Sequence, residues 1–75
     1  MRMRKYRIIF EINDECITTM ELKPKLAYIT IMQLKEKKRK KRCNYRIFHA
    51  GIPDKEITEE KFMEEYEFFI KSKHI

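Results

Sequence analysis

Glycine and serine are almost missing from this chain: Gly51 and Ser72 are the only residues of either kind. A loop that cradles phosphates through bare backbone needs several glycines at fixed spacing, so that class of nucleotide site is excluded. Cysteine is scarce as well. Cys16 and Cys43 stand far apart, whereas a disulfide-dependent secreted domain of this length normally carries four or more. Reduced thiols are therefore expected. With His49 and His74 they form no CxxC and no HxxxH pair, so neither a zinc site nor any other cofactor is expected. No stretch approaches the roughly 18 continuous apolar residues of a membrane span. The basic start, Met1-Arg2-Met3-Arg4-Lys5, leads into an apolar stretch broken by Arg7 and Glu11, without a small-residue cleavage site, and does not read as a signal peptide. A cytoplasmic setting is expected, or the nucleus if the source is eukaryotic.

A chain of 75 residues has room for one domain, 1–75. It buries only about 60% of the surface that its unfolded form exposes. Such a core rarely supplies more than about 3–5 kcal/mol without a staple. With disulfide and metal set aside, a homodimer is the remaining route to extra stability.

What the chain has in quantity is charge and aromatic side chains. Phe10, Phe48, Phe62, Phe68 and Phe69 argue against disorder. The charge is divided: the first fifty residues carry fourteen Lys and Arg against five Asp and Glu, and the rest carry seven Asp and Glu against four Lys. The densest segment, Lys35-Glu36-Lys37-Lys38-Arg39-Lys40-Lys41-Arg42, alone accounts for an excess equal to the net charge of +6. Asymmetry of this kind points to an anionic partner for the basic part.

Tyr6-Arg7-Ile8-Ile9-Phe10-Glu11-Ile12 alternates with a period of two and predicts a strand. Residues 16–22 are rich in β-formers and predict its hairpin partner. A three-residue connection, Asn13-Asp14-Glu15, would pair Ile12 with Cys16, Phe10 with Thr18, Ile8 with Met20 and Tyr6 with Leu22, keeping apolar groups on one face. A two-residue connection would set Tyr6 against Glu21, and the three-residue hairpin is preferred. Pro24 suits a first helical turn. From Lys25 to Arg42 one long helix is favoured, since no turn residue divides the segment, with Asn44 as a left-handed cap. The rival is a third strand over 26–34 followed by a charged loop. Tyr45 to Ala50 predicts another strand, stopped by Gly51-Ile52-Pro53-Asp54. Thr58 is the expected N-cap of a last helix, with Glu59 and Glu60 in its first turn and Phe62, Met63, Tyr66, Phe69 and Ile70 on one stripe. The predicted fold is α+β: a three-stranded antiparallel sheet with two helices on one face, in the order β-β-α-β-α. The alternative order is β-β-β-β-α.

Seven like charges between Lys35 and Arg42 repel one another and are relieved by phosphates, whose counterions are then released. Lys35, Lys37, Lys38, Arg39, Lys40, Lys41 and Arg42 are thus candidates for backbone contact with DNA or RNA, with little sequence preference. A solvated helix end that keeps a small protein soluble explains the same residues. The run also fits a nuclear-import pattern. Arg4, Arg7 and Arg46 would extend a basic surface, the last two pointing away from the core on their strands. Tyr28, Tyr45 and Phe48 would stack on unpaired bases if exposed, and otherwise fill the core.

Phe68 falls off the apolar stripe of the last helix, among Glu64, Glu65 and Glu67. Phe68, Glu64 and Glu67 are candidates for contact with a protein partner, against the plainer reading of an ordinary wet helix face. Cys16, Cys43 and His49 are the only conventional catalytic residue types, and a Cys–His pair needs the two side chains in contact, which spacing alone does not show. No enzymatic activity is expected. In size, composition and element order the chain is similar to small accessory proteins of phages and mobile elements, a likeness that rests on no motif and assigns no residue. Two functions fit. One is a nucleic-acid-binding accessory protein. The other is an inhibitor or adaptor docking on a larger nucleoprotein or on a host enzyme that handles nucleic acid.

Overall fold

Alternation in Tyr6–Ile12 produces strand β1 over the range expected, and it pairs on one side with β2, Glu15–Thr18. A helix, α1, follows over Pro24–Lys40, then strands β3 (Cys43–His49) and β4 (Lys55–Ile57) and helix α2 (Glu59–Lys73). The computed structural model describes residues 4–40 and 43–73, without the side chains of Lys40 and Lys73. The sheet is antiparallel throughout, in the order β2-β1-β3-β4. Ala27, Ile31 and Leu34 from α1 and Phe62 from α2 bury against Tyr6, Ile8, Cys43 and Ile47. These sheet residues share one face, so both helices lie on it and the other face is open.

The α+β class and the succession of β-hairpin, helix, strand and helix stand as expected. The sheet has four strands, not three. The addition, Lys55–Ile57, is too short and too charged to show a period; it forms because Ile57 lies opposite Ile47 on the core side. The alternative with a strand over 26–34 is overturned, since that segment lies inside α1. Ala27, Ile31 and Leu34 recur at i, i+4 and i+7 on its buried side, and the Thr30 hydroxyl donates to the Leu26 carbonyl at 2.8 Å, so a β-branched residue is accommodated. Asn44 does not cap the helix; it lies in β3, opposite Glu11.

The hairpin between β1 and β2 differs from the expected one. Its connection is two residues, Asn13 and Asp14, both in the left-handed region at φ 51° and 65°. Two such residues make the turn whose twist matches a hairpin, and Asn and Asp tolerate it better than other non-glycine residues. Ile12 consequently faces Glu15, Phe10 faces Ile17 and Ile9 faces Thr18. Yet Tyr6 and Leu22 do pair, exchanging hydrogen bonds of 2.8 and 2.7 Å. A bulge reconciles the two registers: Ile8 accepts from the Thr19 N–H at 2.9 Å, which leaves Arg7 to span both Met20 and Glu21. The Thr19 hydroxyl takes up the Ile8 N–H at 3.0 Å. The extra residue on the second strand removes the Tyr6–Glu21 pairing that would otherwise penalise a two-residue turn.

Thr58 is the N-cap of α2: its Oγ1 accepts from the Lys61 N–H at 3.1 Å and its carbonyl from the Phe62 N–H at 3.0 Å. Glu59 and Glu60 occupy the first turn, at the positive end of the helix dipole.

Candidate nucleic-acid interface

Along α1 the core-facing stripe of Ala27, Ile31 and Leu34 continues, one turn later, at Lys38. Its ammonium lies 5.9 Å from the centre of the Tyr45 ring. Lys35 stands on the side facing α2 and pairs with Glu59 at 2.5 Å. Tyr45 donates its hydroxyl to the same carboxylate. Burial pushes the Glu59 carboxyl up, but hydrogen bonds from Lys35 and Tyr45 and the charges of Lys35 and Lys38 outweigh it and leave the group below its ordinary value. Burial, then the hydrogen bond to Glu59 and its charge, raises the Tyr45 phenol well beyond the usual range. Two of the seven cations are thus turned toward the protein's own surface.

The outward side of the helix end presents Lys37 and Arg39. Both are exposed. Lys37 has no ion-pair partner among the described residues, and the only one for Arg39 is Glu36 at 3.9 Å. Lys41 and Arg42 lie outside the described residues, as does the side chain of Lys40. Cations at this end of a helix are also favoured by the dipole, so their presence has a structural reason independent of any ligand.

Arg7 and Arg46 point to the open side of the sheet, as their neighbours Ile8 and Ile47 require. Each already has a carboxylate. Arg7 binds Asp54 and lies 3.8 Å from Glu21. A hydrogen bond from the Gly51 N–H, then that from Arg7, holds Asp54 below the ordinary carboxylate range. Arg46 grips Glu56 with two nitrogens, at 3.1 and 2.5 Å, and covers the Phe48 ring at 5.5 Å. This face is therefore charged but internally neutralised, and it does not merge with the helix end into one basic surface. Of the aromatic candidates, Tyr28 stacks on Tyr66 with centroids 4.3 Å apart, and Tyr45 and Phe48 are half-buried beneath the cations just described.

Arg4 belongs to a different cluster. It donates to His49 Nδ1 at 3.1 Å, and His49 Nε2 donates to Glu65 at 2.8 Å. Guanidinium only donates, so these partners assign the proton to Nε2. The Tyr6 hydroxyl donates to the same Glu65 oxygen at 2.7 Å. Burial raises the Glu65 carboxyl; its hydrogen bonds from Tyr6 and His49 more than reverse this, and the group lies below its ordinary value. Nothing in the sequence announces this cluster, because its members come from three separate segments: the start of the chain into β1, β3 and α2. His49 is also at the far end of β3 from Cys43, about 20 Å along the strand. Cys43 is 2% exposed. No Cys–His pair forms among the described residues.

Among the described residues no group of three or more His, Cys, Asp or Glu stands together so as to hold a metal. No helix among them is long and apolar enough to cross a membrane. Phe68, Glu64 and Glu67 are exposed on the outer side of α2, away from the lysines of α1. No protein-family model, curated protein or solved structure matches this chain.

Proposed function

We propose that this chain is a small non-enzymatic protein of the cytoplasm that binds the phosphate backbone of nucleic acid through the C-terminal end of α1. The supporting observation is the outward side of that helix end, where Lys37 and Arg39 stand in solvent without a strong carboxylate partner, at the start of a run continued in sequence by Lys40, Lys41 and Arg42. The arginines of the open sheet face contribute less, because Asp54, Glu21 and Glu56 already neutralise them. Contact through point charges on a solvated helix end implies weak sequence preference and steep dependence on salt.

The test is fluorescence anisotropy with short single- and double-stranded DNA and RNA over a salt series. The wild type is compared with Lys37→Ala/Arg39→Ala and with Lys35→Ala/Lys38→Ala. Micromolar binding near physiological salt is expected. On duplex DNA the outward variant, Lys37→Ala/Arg39→Ala, loses about 0.9 of logarithmic salt slope per phosphate contact removed, and the inward one loses less. Absence of binding, or equal slopes in all three proteins, would sink the reading.

A further inference from the structure

Strand β2 forms one edge of the sheet, and its backbone has a side without partners. Tyr6 exchanges hydrogen bonds with Leu22, and Ile8 accepts from Thr19, so the even-numbered residues of β1 turn their N–H and C=O groups toward β2. Antiparallel alternation then makes Ile12–Glu15 and Phe10–Ile17 the hydrogen-bonded pairs. Cys16 and Thr18 alternate with them. Their N–H and C=O groups point away from β1, to the outer edge, and meet no partner among the described residues. The opposite edge is guarded. There β4 has three residues, two of them charged, and it follows Pro53 closely. Brevity, charge and proline are the features that discourage pairing at an edge. In β2 the only charge is Glu15, beside the turn. Ile17, opposite Phe10, has its side chain on the helix face and is 42% exposed.

We infer that β2 pairs antiparallel with β2 of a second copy, joining two sheets into one. The occupant of a free edge has to be a strand, since only a strand presents matching donors and acceptors at that spacing. The backbone also restricts the register. The outward groups of Cys16 and Thr18 must meet outward groups of the other strand, so the two-fold axis passes through residue 16, 17 or 18. An axis at Cys16 sets Ile17 opposite Glu15 of the other copy, and one at Thr18 sets it opposite Thr19. An axis at Ile17 sets Ile17 against its own copy and Cys16 opposite Thr18 on both sides. Four hydrogen bonds then flank an apolar pair, and Glu15 faces an uncharged Thr19. β2 is thus itself the strand that this edge requires: uncharged from 16 to 18, apolar at the centre, with outward polar groups on either side. The chain also has a use for a second copy. Its core is thin, and among the described residues neither a disulfide nor a metal-holding group reinforces it. The bulge at Met20 and Glu21 limits the paired stretch, and the guarded β4 edge adds no further strand, so the assembly closes at two copies. The inference does not depend on nucleic-acid binding.

The test is sedimentation equilibrium of the full chain under reducing conditions, from about 10 to 500 µM, with added salt to screen the net charge of +6 on each copy. The paired stretch is short, so a weak dimer is expected, with a dissociation constant on the order of 100 µM. Ile17→Lys should weaken it at least about tenfold. Cys16→Pro should do the same, because it removes an outward N–H that β1 does not use. Phe68→Ser, on the exposed side of α2, should dimerise as the wild type does. The register is read with Cys16→Ser/Ile17→Cys. Oxidised glutathione should link two copies through residue 17, since the Cα atoms of such a pair are about 4.5 Å apart. Wild-type Cys16 stands two residues out of line with its copy, beyond the roughly 7 Å that a disulfide spans, and should not link. Cys43 is buried. A wild type that stays monomeric throughout the range would overturn the inference and leave the edge to a strand of another protein. A dimer indifferent to both edge variants would also overturn it, as would one dissolved by Phe68→Ser. Faster linkage through wild-type Cys16 than through residue 17 would do the same.

Discussion

Tyr6, His49 and Glu65 come from β1, β3 and α2, and their polar atoms converge at one end of the sheet. The carboxylate accepts from both neighbours, so neither has to be buried without a partner. Replacing Glu65 by Gln keeps one acceptor but turns an amide N–H toward a donor, and is expected to cost about 1–2 kcal/mol of stability in urea unfolding. Its pH dependence has a definite sign. The folded-state value of Glu65 lies below the ordinary one, so its contribution is complete above the unfolded value of about 4.3 and is lost as pH falls through the folded value. Asp54, Glu56 and Glu59 are depressed likewise. Denaturant midpoints measured from pH 6 to pH 3 should therefore fall, and Glu65→Gln should fall less steeply than the wild type. An equal slope would mean that Glu65 does not contribute to acid sensitivity. Individual residues were legible where periodicity governs them: Phe62 inside, Phe68 outside, Arg7 and Arg46 on the open face. Their partners were not, since Arg7–Asp54, Lys35–Glu59 and His49–Glu65 depend on how distant segments meet.

The β1–β2 hairpin shows what pattern matching misses among segments. Counting apolar pairs favoured a three-residue loop, but a left-handed Asn13-Asp14 turn followed by a bulge preserves the Tyr6–Leu22 pair with a different register at the tip. A bulge leaves no mark in hydrophobic alternation. Because Asp14 sits at φ 65°, Asp14→Gly should raise stability by about 0.5–1 kcal/mol, seen as a higher melting temperature; a lower one would count against the turn described. Helix α1 was legible from the lack of any breaker after Pro24, whereas β4 had too few residues to register. The contact between the two helices carries its own expectation. Glu59 occupies Lys35 in the way a phosphate would. Glu59→Gln should release that lysine, destabilise the fold and steepen the salt dependence of nucleic-acid binding by up to about one contact, roughly 0.9 on duplex DNA. If binding is present but its slope is unchanged, Lys35 stays against the protein.

The chain as a unit measures 42 × 28 × 17 Å. The shortest dimension is close to that of one sheet and one helix in contact, roughly 10 Å between layers with side chains on either side. Two layers give one core, and the other side of the sheet is held by charge: Arg7 with Asp54 and Glu21, and Arg46 with Glu56 over Phe48. The division of charge seen in the sequence survives folding in part only. Glu59 draws two cations of the basic run inward, which spacing alone did not foretell, while the outer glutamates of α2 keep their distance. The one-sided sheet also governs how the chain tolerates change over generations. Along β1 and β3, the positions on the open face can change more readily, provided that the pairs made by Arg7 and Arg46 are kept or replaced by others of opposite charge, while Tyr6, Ile8, Cys43 and Ile47 are fixed by what covers them. A lineage of such proteins would keep its alternating skeleton and rewrite the exposed face, so descendants would come to share a shape long after their sequences had ceased to resemble one another.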